Sequence, residues 1–171
     1  MMFFVKGKMK KTNTARNIVL VLHDIRSTHN VGSIFRTADA IGVSKIILSS
    51  ITPAPLDRFS RPSREIAKTA LGAEKNIPWQ QVKNITTYLR QFKKENYYVV
   101  AVEQSPKSID YKKLRSKKKM VFILGNEVSG LPSRILALSD VTIAIPMHGK
   151  KESLNVSVAA GITLFRTLDI I

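Results

Sequence analysis

Five short runs of nearly unbroken apolar, β-branched residues alternate with stretches of helical spacing, and this alternation constrains the fold most. The runs are Ile18–Leu22, Lys45–Leu48, Tyr97–Val102, Met120–Leu124 and Val141–Ile145. A strand that is apolar on both sides must be covered on both sides, as in a parallel sheet wrapped by helices. Between the runs, Val31, Ile34, Phe35, Ala38 and Ile41 predict one helix face ending near Gly42. Ile85, Leu89 and Phe92 predict a second helix, and Leu131, Ile135 and Leu138 a third. The expected class is therefore α/β, a mostly parallel sheet with helices on both faces. A length of 171 residues with 44% hydrophobic content suits one core, and no repeat or long linker divides the sequence. The expected organisation is a basic arm over residues 1–16 and one domain over 17–171.

The segment from Leu154 to Ile171 has a different pattern. Leu154, Val158, Ile162 and Phe165 form one stripe, and Val156, Ala159, Ala160, Leu164 and Leu168 widen it over most of the circumference. A helix apolar nearly all round needs cover on more than one side, from its own monomer or from a second subunit.

Charge narrows the function classes. Twenty-eight Lys and Arg oppose 12 Asp and Glu, giving a formal net charge of +16. Lys6, Lys8, Lys10, Lys11 and Arg16 crowd the arm, and Arg58, Arg61, Arg64 and Lys68 lie in and after a Pro/Ser-rich loop. Lys107, Lys112, Lys113, Arg115, Lys117, Lys118 and Lys119 form a third cluster. Any one cluster could be plain solvated surface, but three together favour a phosphate backbone as partner, with strong salt dependence. No apolar run approaches the ~20 residues of a membrane helix. Met1–Val5 is short and precedes its lysines, so a secretory leader is not expected and a cytoplasmic setting is. Without cysteine, disulfides, thiol nucleophiles and the usual zinc sites are excluded.

Familiar nucleotide and hydrolase motifs fail. No G-x-G-x-x-G follows the first run, and Leu131-Pro132 stands where a phosphate-binding loop spaced from Gly125 and Gly130 needs Lys and Ser or Thr. His23, His29 and His148 lack metal-ligand spacing, so no metal is expected. His23-Asp24 with Ser27 has no nucleophile elbow beside it.

Three segments carry more information. Asn30, Ser33 and Arg36 fall at i, i+3 and i+6, a polar ridge on the first helix, with Asn30 a candidate N-cap. Leu124-Gly125-Asn126-Glu127-Val128-Ser129-Gly130-Leu131 leaves one apolar run, and Ile145-Pro146-Met147-His148-Gly149 leaves another, followed by Ser153-Leu154-Asn155-Val156-Ser157. Singly these could be turns or caps. Two glycine-bearing loops at the ends of neighbouring strands point instead to a ligand crevice.

In order and separation these segments resemble motifs 1, 2 and 3 of the SpoU/TrmH branch of the SPOUT RNA methyltransferases, over about Asn17 to Arg166. Ala67-Lys68-Thr69-Ala70-Leu71-Gly72-Ala73 resembles the family's middle segment. The resemblance implies a deep C-terminal trefoil knot, S-adenosylmethionine as cofactor with S-adenosylhomocysteine as product, a homodimer, and methyl transfer to a ribose 2′-hydroxyl of tRNA or rRNA. Residue by residue, it implies that Val102, Gly125, Ile145, Met147, Ser153 and Leu154 line the cofactor. Arg36 would be the central catalytic residue, supported by Asn30, Glu127 and Asn155. A strongly basic guanidinium suits electrostatic help better than proton abstraction, and an RNA phosphate could assist with the proton. Lys8, Lys10, Lys11, Arg16, Arg58, Arg61, Arg64, Lys117, Lys118 and Lys119 are the expected RNA contacts. The rival readings are a non-catalytic RNA-binding or assembly protein on the same fold, and a methyltransferase acting on a base or small molecule.

Overall fold

A computed structural model describes residues 16–168 of the chain. In order come β1 (Asn17–His23), α1 (Thr28–Ile41), β2 (Lys45–Ser49), α2 (Arg64–Ala70), α3 (Ala73–Asn76), β3 (Trp79–Val82) and α4 (Ile85–Lys94). They are followed by β4 (Tyr98–Val102), β5 (Ile109–Asp110), a 3-10 turn at Tyr111–Lys113, β6 (Lys119–Leu124), α5 (Ser133–Leu136), β7 (Val141–Ala144) and α6 (Val156–Thr167). The strands form one sheet in the order β3-β2-β1-β6-β4-β7-β5, with every ladder parallel.

Alternation along each strand builds two cores. Ile18, Leu20 and Leu22 of β1 face a cluster completed by Ile34 and Phe35 of α1, Ile66 of α2 and Leu164 of α6. Val19 and Val21 face the other side, packed with Ile85 and Leu89 of α4 and Ile135 of α5. The sheet is therefore covered on both faces, as its nearly continuous apolar strands require. From β4 the chain runs outward to edge strand β5, returns inside β4 as β6, and goes out again to place β7 between β4 and β5. The chain thus traverses one half of the sheet three times, unlike the simple connections of most α/β sheets.

Helix starts follow side-chain capping. Ser27, Ser63, Asn84 and Asn155 accept from the backbone N–H groups of Asn30, Ile66, Thr86 and Ser157. Gly42 ends α1 at φ 81°, a conformation glycine adopts without steric cost. Gly32 has a packing role: a Cβ there would collide with Thr69 Oγ1 and Ile66 O, so its absence lets α2 lie close on α1.

Several expectations need correction. Ser27, not Asn30, caps α1, which frees the Asn30 side chain for the site. The third expected helix contracts to one turn, Ser133–Leu136, because Pro132 sets its start and Asp140 already belongs to the entry into β7. Leu131 and Ile135 are buried nonetheless. The last helix begins at Val156 rather than Leu154, since Asn155 is its cap. The strands predicted to start at Tyr97 and end at Ile145 each lose that residue. Strand β3 and helix α2 were not anticipated; in β3 only Val82 is buried. Among the described residues no helix is long and apolar enough to cross a membrane.

Candidate active site

The loops leaving β6 and β7 do not come from neighbouring strands, because β4 runs between them. They flank the end of β4, and the cleft of about 330 Å³ there is a three-sided structure. Its floor is Val102, Glu103 and Gln104, one wall is Leu124, Gly125, Asn126 and Glu127, and the other is Ile143, Ile145 and Met147. Glu152, Ser153, Leu154 and the first turn of α6 close it. Val102, Gly125, Ile145, Met147, Ser153 and Leu154 all line this one cleft. Its volume falls at the lower end of small-molecule sites, about 300–1,000 Å³.

The cleft's charge runs opposite to that of the chain. Glu103, Glu127 and Glu152 line it, and among the described residues no Lys, Arg or His does, although the net charge is +16. A small cation with an apolar body fits that lining better than an anion does.

The β6 loop is held from both sides. Asn126 donates from Nδ2 to Asp24 O at 2.8 Å, and its Oδ1 accepts from Val128 N and Ser129 N, each at 2.9 Å. Glu103 accepts from Leu131 N at 2.7 Å and from Gln104 N at 2.9 Å. Gly130 has φ 66°, and a Cβ there would strike the Glu103 carboxylate. Gly125 lines the cleft, and the loop's own close return also demands glycine there: a Cβ would meet Gly130 C and Leu131 Cγ at 2.8 Å.

Three of the four expected catalytic residues meet at the cleft. Asn155 Nδ2 donates to Asn30 Oδ1 at 3.0 Å, and Asn30 Nδ2 donates to Glu127 Oε1 at 2.9 Å. The relay joins α1, the β6 loop and the cap of α6 across 97 and 125 residues of sequence. Arg36 stands apart from it. Its exposed side chain lies two helical steps of three along α1 from Asn30, about 9 Å further along the axis.

His23, at the end of β1, is buried and shares a 2.7 Å hydrogen bond with Ser49 Oγ. Burial pushes its pKa below the ordinary value; Asp24 opposes that shift and Arg134 reinforces it. The pair is part of the sheet's interior, not of the cleft.

The basic clusters separate by edge. Arg16, Lys117 and Lys118, with Lys112, Lys113, Arg115 and Arg166, surround a recess of about 750 Å³. It lies where β1 and β6 begin, the opposite edge from the cleft. Lys119 lies outside that lining and donates to Glu95 O at 3.1 Å. Arg58, Arg61 and Arg64 sit in and just after the β2–α2 connection, and Lys8, Lys10 and Lys11 lie outside the described residues. The sequence reading missed Glu103 and Glu152; for Glu103 the available signal was an acidic residue directly after an apolar run in a chain poor in acid, and Glu152, between Lys151 and Ser153, carried none.

Fold and site together define an α/β protein with a ligand-sized, carboxylate-lined cleft at the carboxyl edge of a parallel sheet. The chain belongs to the SpoU rRNA Methylase family, which matches residues 17–165. It is 33% identical over 150 residues to the 23S rRNA (guanosine-2′-O-)-methyltransferase RlmB of Neisseria meningitidis, covering 88% of this chain and 57% of that protein. To RlmB of Xylella fastidiosa it is 34% identical, covering 88% of this chain and 58% of that protein. It therefore spans less than three-fifths of the curated relatives named. Among solved structures, the AdoMet-bound rRNA methyltransferase of Sinorhizobium meliloti superposes with TM-score 0.81 at 31% identity, covering 91% of this chain and 57% of that one. The TrmH/SpoU tRNA modifying enzyme of A. aeolicus gives 0.79 at 28% identity, covering 91% and 77%.

Proposed function

We propose that this chain transfers a methyl group from S-adenosylmethionine to a ribose 2′-hydroxyl of tRNA or rRNA, as a homodimer with a knotted C-terminal half. One observation carries the reading: six cofactor-motif residues line one carboxylate-rich cleft, and the Asn155–Asn30–Glu127 relay touches it through Glu127. The names of the Neisseria relative and the AdoMet-bound Sinorhizobium structure support it. Val158 and Leu154 remain 47% and 39% exposed, an apolar margin suited to a second subunit.

Bound in the cleft, S-adenosylmethionine would supply a methyl group already activated by its sulfonium. Val102, Gly125, Ile145, Met147, Ser153 and Leu154 hold it, and the carboxylates of Glu103, Glu127 and Glu152 offset its positive charge. Asn30 keeps one Nδ2 hydrogen and one Oδ1 lone pair after its two bonds, a donor and an acceptor with which to orient a hydroxyl. Arg36 acts by its charge, gathering the neighbouring phosphate, which takes up the hydroxyl proton, and favouring negative charge on the 2′-oxygen. Alignment of that oxygen with the transferable methyl is the main task left to the protein.

The test supplies the chain with isotopically labelled S-adenosylmethionine and total tRNA or rRNA, then digests the RNA to nucleosides. Label in 2′-O-methylated nucleosides is expected. RNA binding with no label in any nucleoside would favour the non-catalytic reading, and label in a base would move the chemistry off the ribose.

A further inference from the structure

The connection between β2 and α2 carries the exposed aromatic ring of Phe59, which is 61% accessible. The Arg58 Cζ lies 4.7 Å from the ring centroid and the Arg61 Cζ 5.0 Å. Asp57 makes this loop rigid: Oδ1 accepts from Phe59 N at 2.8 Å and Arg61 N at 3.0 Å, and Oδ2 accepts from Arg61 Nε at 2.8 Å. Two backbone bonds, Asp57 N to Arg61 O and Ser60 N to Asp57 O, close the turn, and Leu56 pairs with Pro62 at its stem. The Asp57 carboxylate is therefore committed within the loop, and among the described residues no hydrogen bond or ion pair engages the Arg58 guanidinium at the ring.

The loop springs from the edge that holds the cleft. Ser50 Oγ donates to Asp24 Oδ1 at 2.9 Å, and the Asp24 carbonyl accepts Asn126 Nδ2. Thr28 Oγ1 donates to Glu65 Oε2 at 2.6 Å, tying the first turn of α2 to that of α1, two residues before Asn30.

We propose that Phe59 is a stacking platform for an unpaired base of the RNA substrate, with Arg58 holding the phosphate beside it. This deepens the RNA reading above and rests on it. A base stacks on the exposed ring by displacing the Arg58 guanidinium that lies over it, and the freed guanidinium meets the backbone charge that accompanies every base. An apolar peptide would leave Arg58 and Arg64 unpaired, and an acidic peptide would make no use of the ring. Duplex RNA keeps its bases stacked inside and cannot use the platform.

The test measures binding of a labelled, unstructured oligouridine to the full chain over a series of salt concentrations, beside methyl transfer. Phe59→Ala should weaken binding about five- to a hundredfold at every salt concentration, leaving the log–log salt slope unchanged. Phe59→Trp should restore the affinity. Arg58→Gln should shrink the slope by about 0.7, one single-strand phosphate contact. Binding of a short RNA duplex should be indifferent to Phe59. Oligouridine affinity unchanged in Phe59→Ala, with the parent binding and methylating RNA, overturns the platform alone. A change in sedimenting mass without a change in RNA affinity assigns the ring to a protein contact and also overturns it. If the parent binds no RNA, both the platform and the RNA reading fail.

Discussion

The carboxylate of Glu103 accepts the backbone N–H of Leu131 at 2.7 Å, so the residue that follows β4 fixes the far end of the loop leaving β6. The same carboxylate occupies the space that a side chain at position 130 would need. Floor and wall of the cleft are thereby locked together by one side chain, across 28 residues of sequence.

Replacing Glu103 by Ala removes an acceptor from two backbone N–H groups and one negative charge from the cleft. Glu103 is only part-buried, so water recovers some of the loss, and a stability cost near 1 kcal/mol is expected. Cofactor affinity should fall further than stability does, because the loop that lines the cleft loses its fixed geometry. Calorimetry with S-adenosylmethionine and thermal denaturation measure the two effects. Equal affinity in the variant would make Glu103 a plain turn residue.

Glu152 tests the charge of the cleft. S-adenosylmethionine carries a sulfonium that S-adenosylhomocysteine lacks, and otherwise the two share one framework. Glu152→Gln should therefore weaken the first by a few-fold, the scale of an exposed charge pair, and leave the second nearly unchanged. The difference should narrow in high salt. Competition between the two ligands reads the ratio directly, and an unaltered ratio would place Glu152 outside the electrostatics of the site.

The central strands were legible because burial on both faces leaves an apolar run with no polar interruption. Strand β3 was not legible: Trp79, Gln80 and Gln81 form an edge with only Val82 buried, and such a segment lacks the apolar signature. Helical spacing at Leu131, Ile135 and Leu138 identified the buried Leu131 and Ile135 and the partly buried Leu138 but overstated the helix, since a loop and one turn can cover the same residues. The relay of Asn155, Asn30 and Glu127 depends on contacts between distant segments, which no local spacing encodes; motif resemblance alone pointed to it. Glu103 was marked only by its place directly after the Tyr97–Val102 run. Its meaning arises only when β6 and β4 pair and bring Leu131 alongside.

Buried His23 makes stability depend on pH. Its folded-state pKa lies below the ordinary value of 6.5, chiefly through burial. The unfolded chain therefore binds a proton more readily, and stability rises with pH wherever that holds. The contribution is full above about 6.5 and is lost as pH falls from there toward the folded-state value. Urea denaturation at a series of pH values should show this loss in the parent. In His23→Gln the slope in this window should flatten, even where the substitution lowers overall stability by disturbing the Ser49 bond. An identical slope in both proteins would assign the pH dependence to other groups.

Arg36 separates chemistry from scaffold most sharply. Its side chain is exposed, so Arg36→Ala should change stability by no more than about 0.5 kcal/mol. Cofactor affinity should also hold, since Arg36 lies outside the lining of the cleft. Turnover should nonetheless fall about a hundredfold or more, the scale seen when a positioned electrostatic group is removed. Arg36→Lys keeps the charge but loses the planar fork that can hold a phosphate and a hydroxyl together, and it should recover only a minor part of the rate. Single-turnover methylation with saturating cofactor and RNA takes binding out of the comparison. Among the described residues Arg36 has no hydrogen bond to the Asn30–Glu127 relay, so on the proposed reading its charge acts on the RNA directly and not through the relay. A near-parental rate for Arg36→Ala would falsify that role and leave the relay to orient the hydroxyl without a cation beside it.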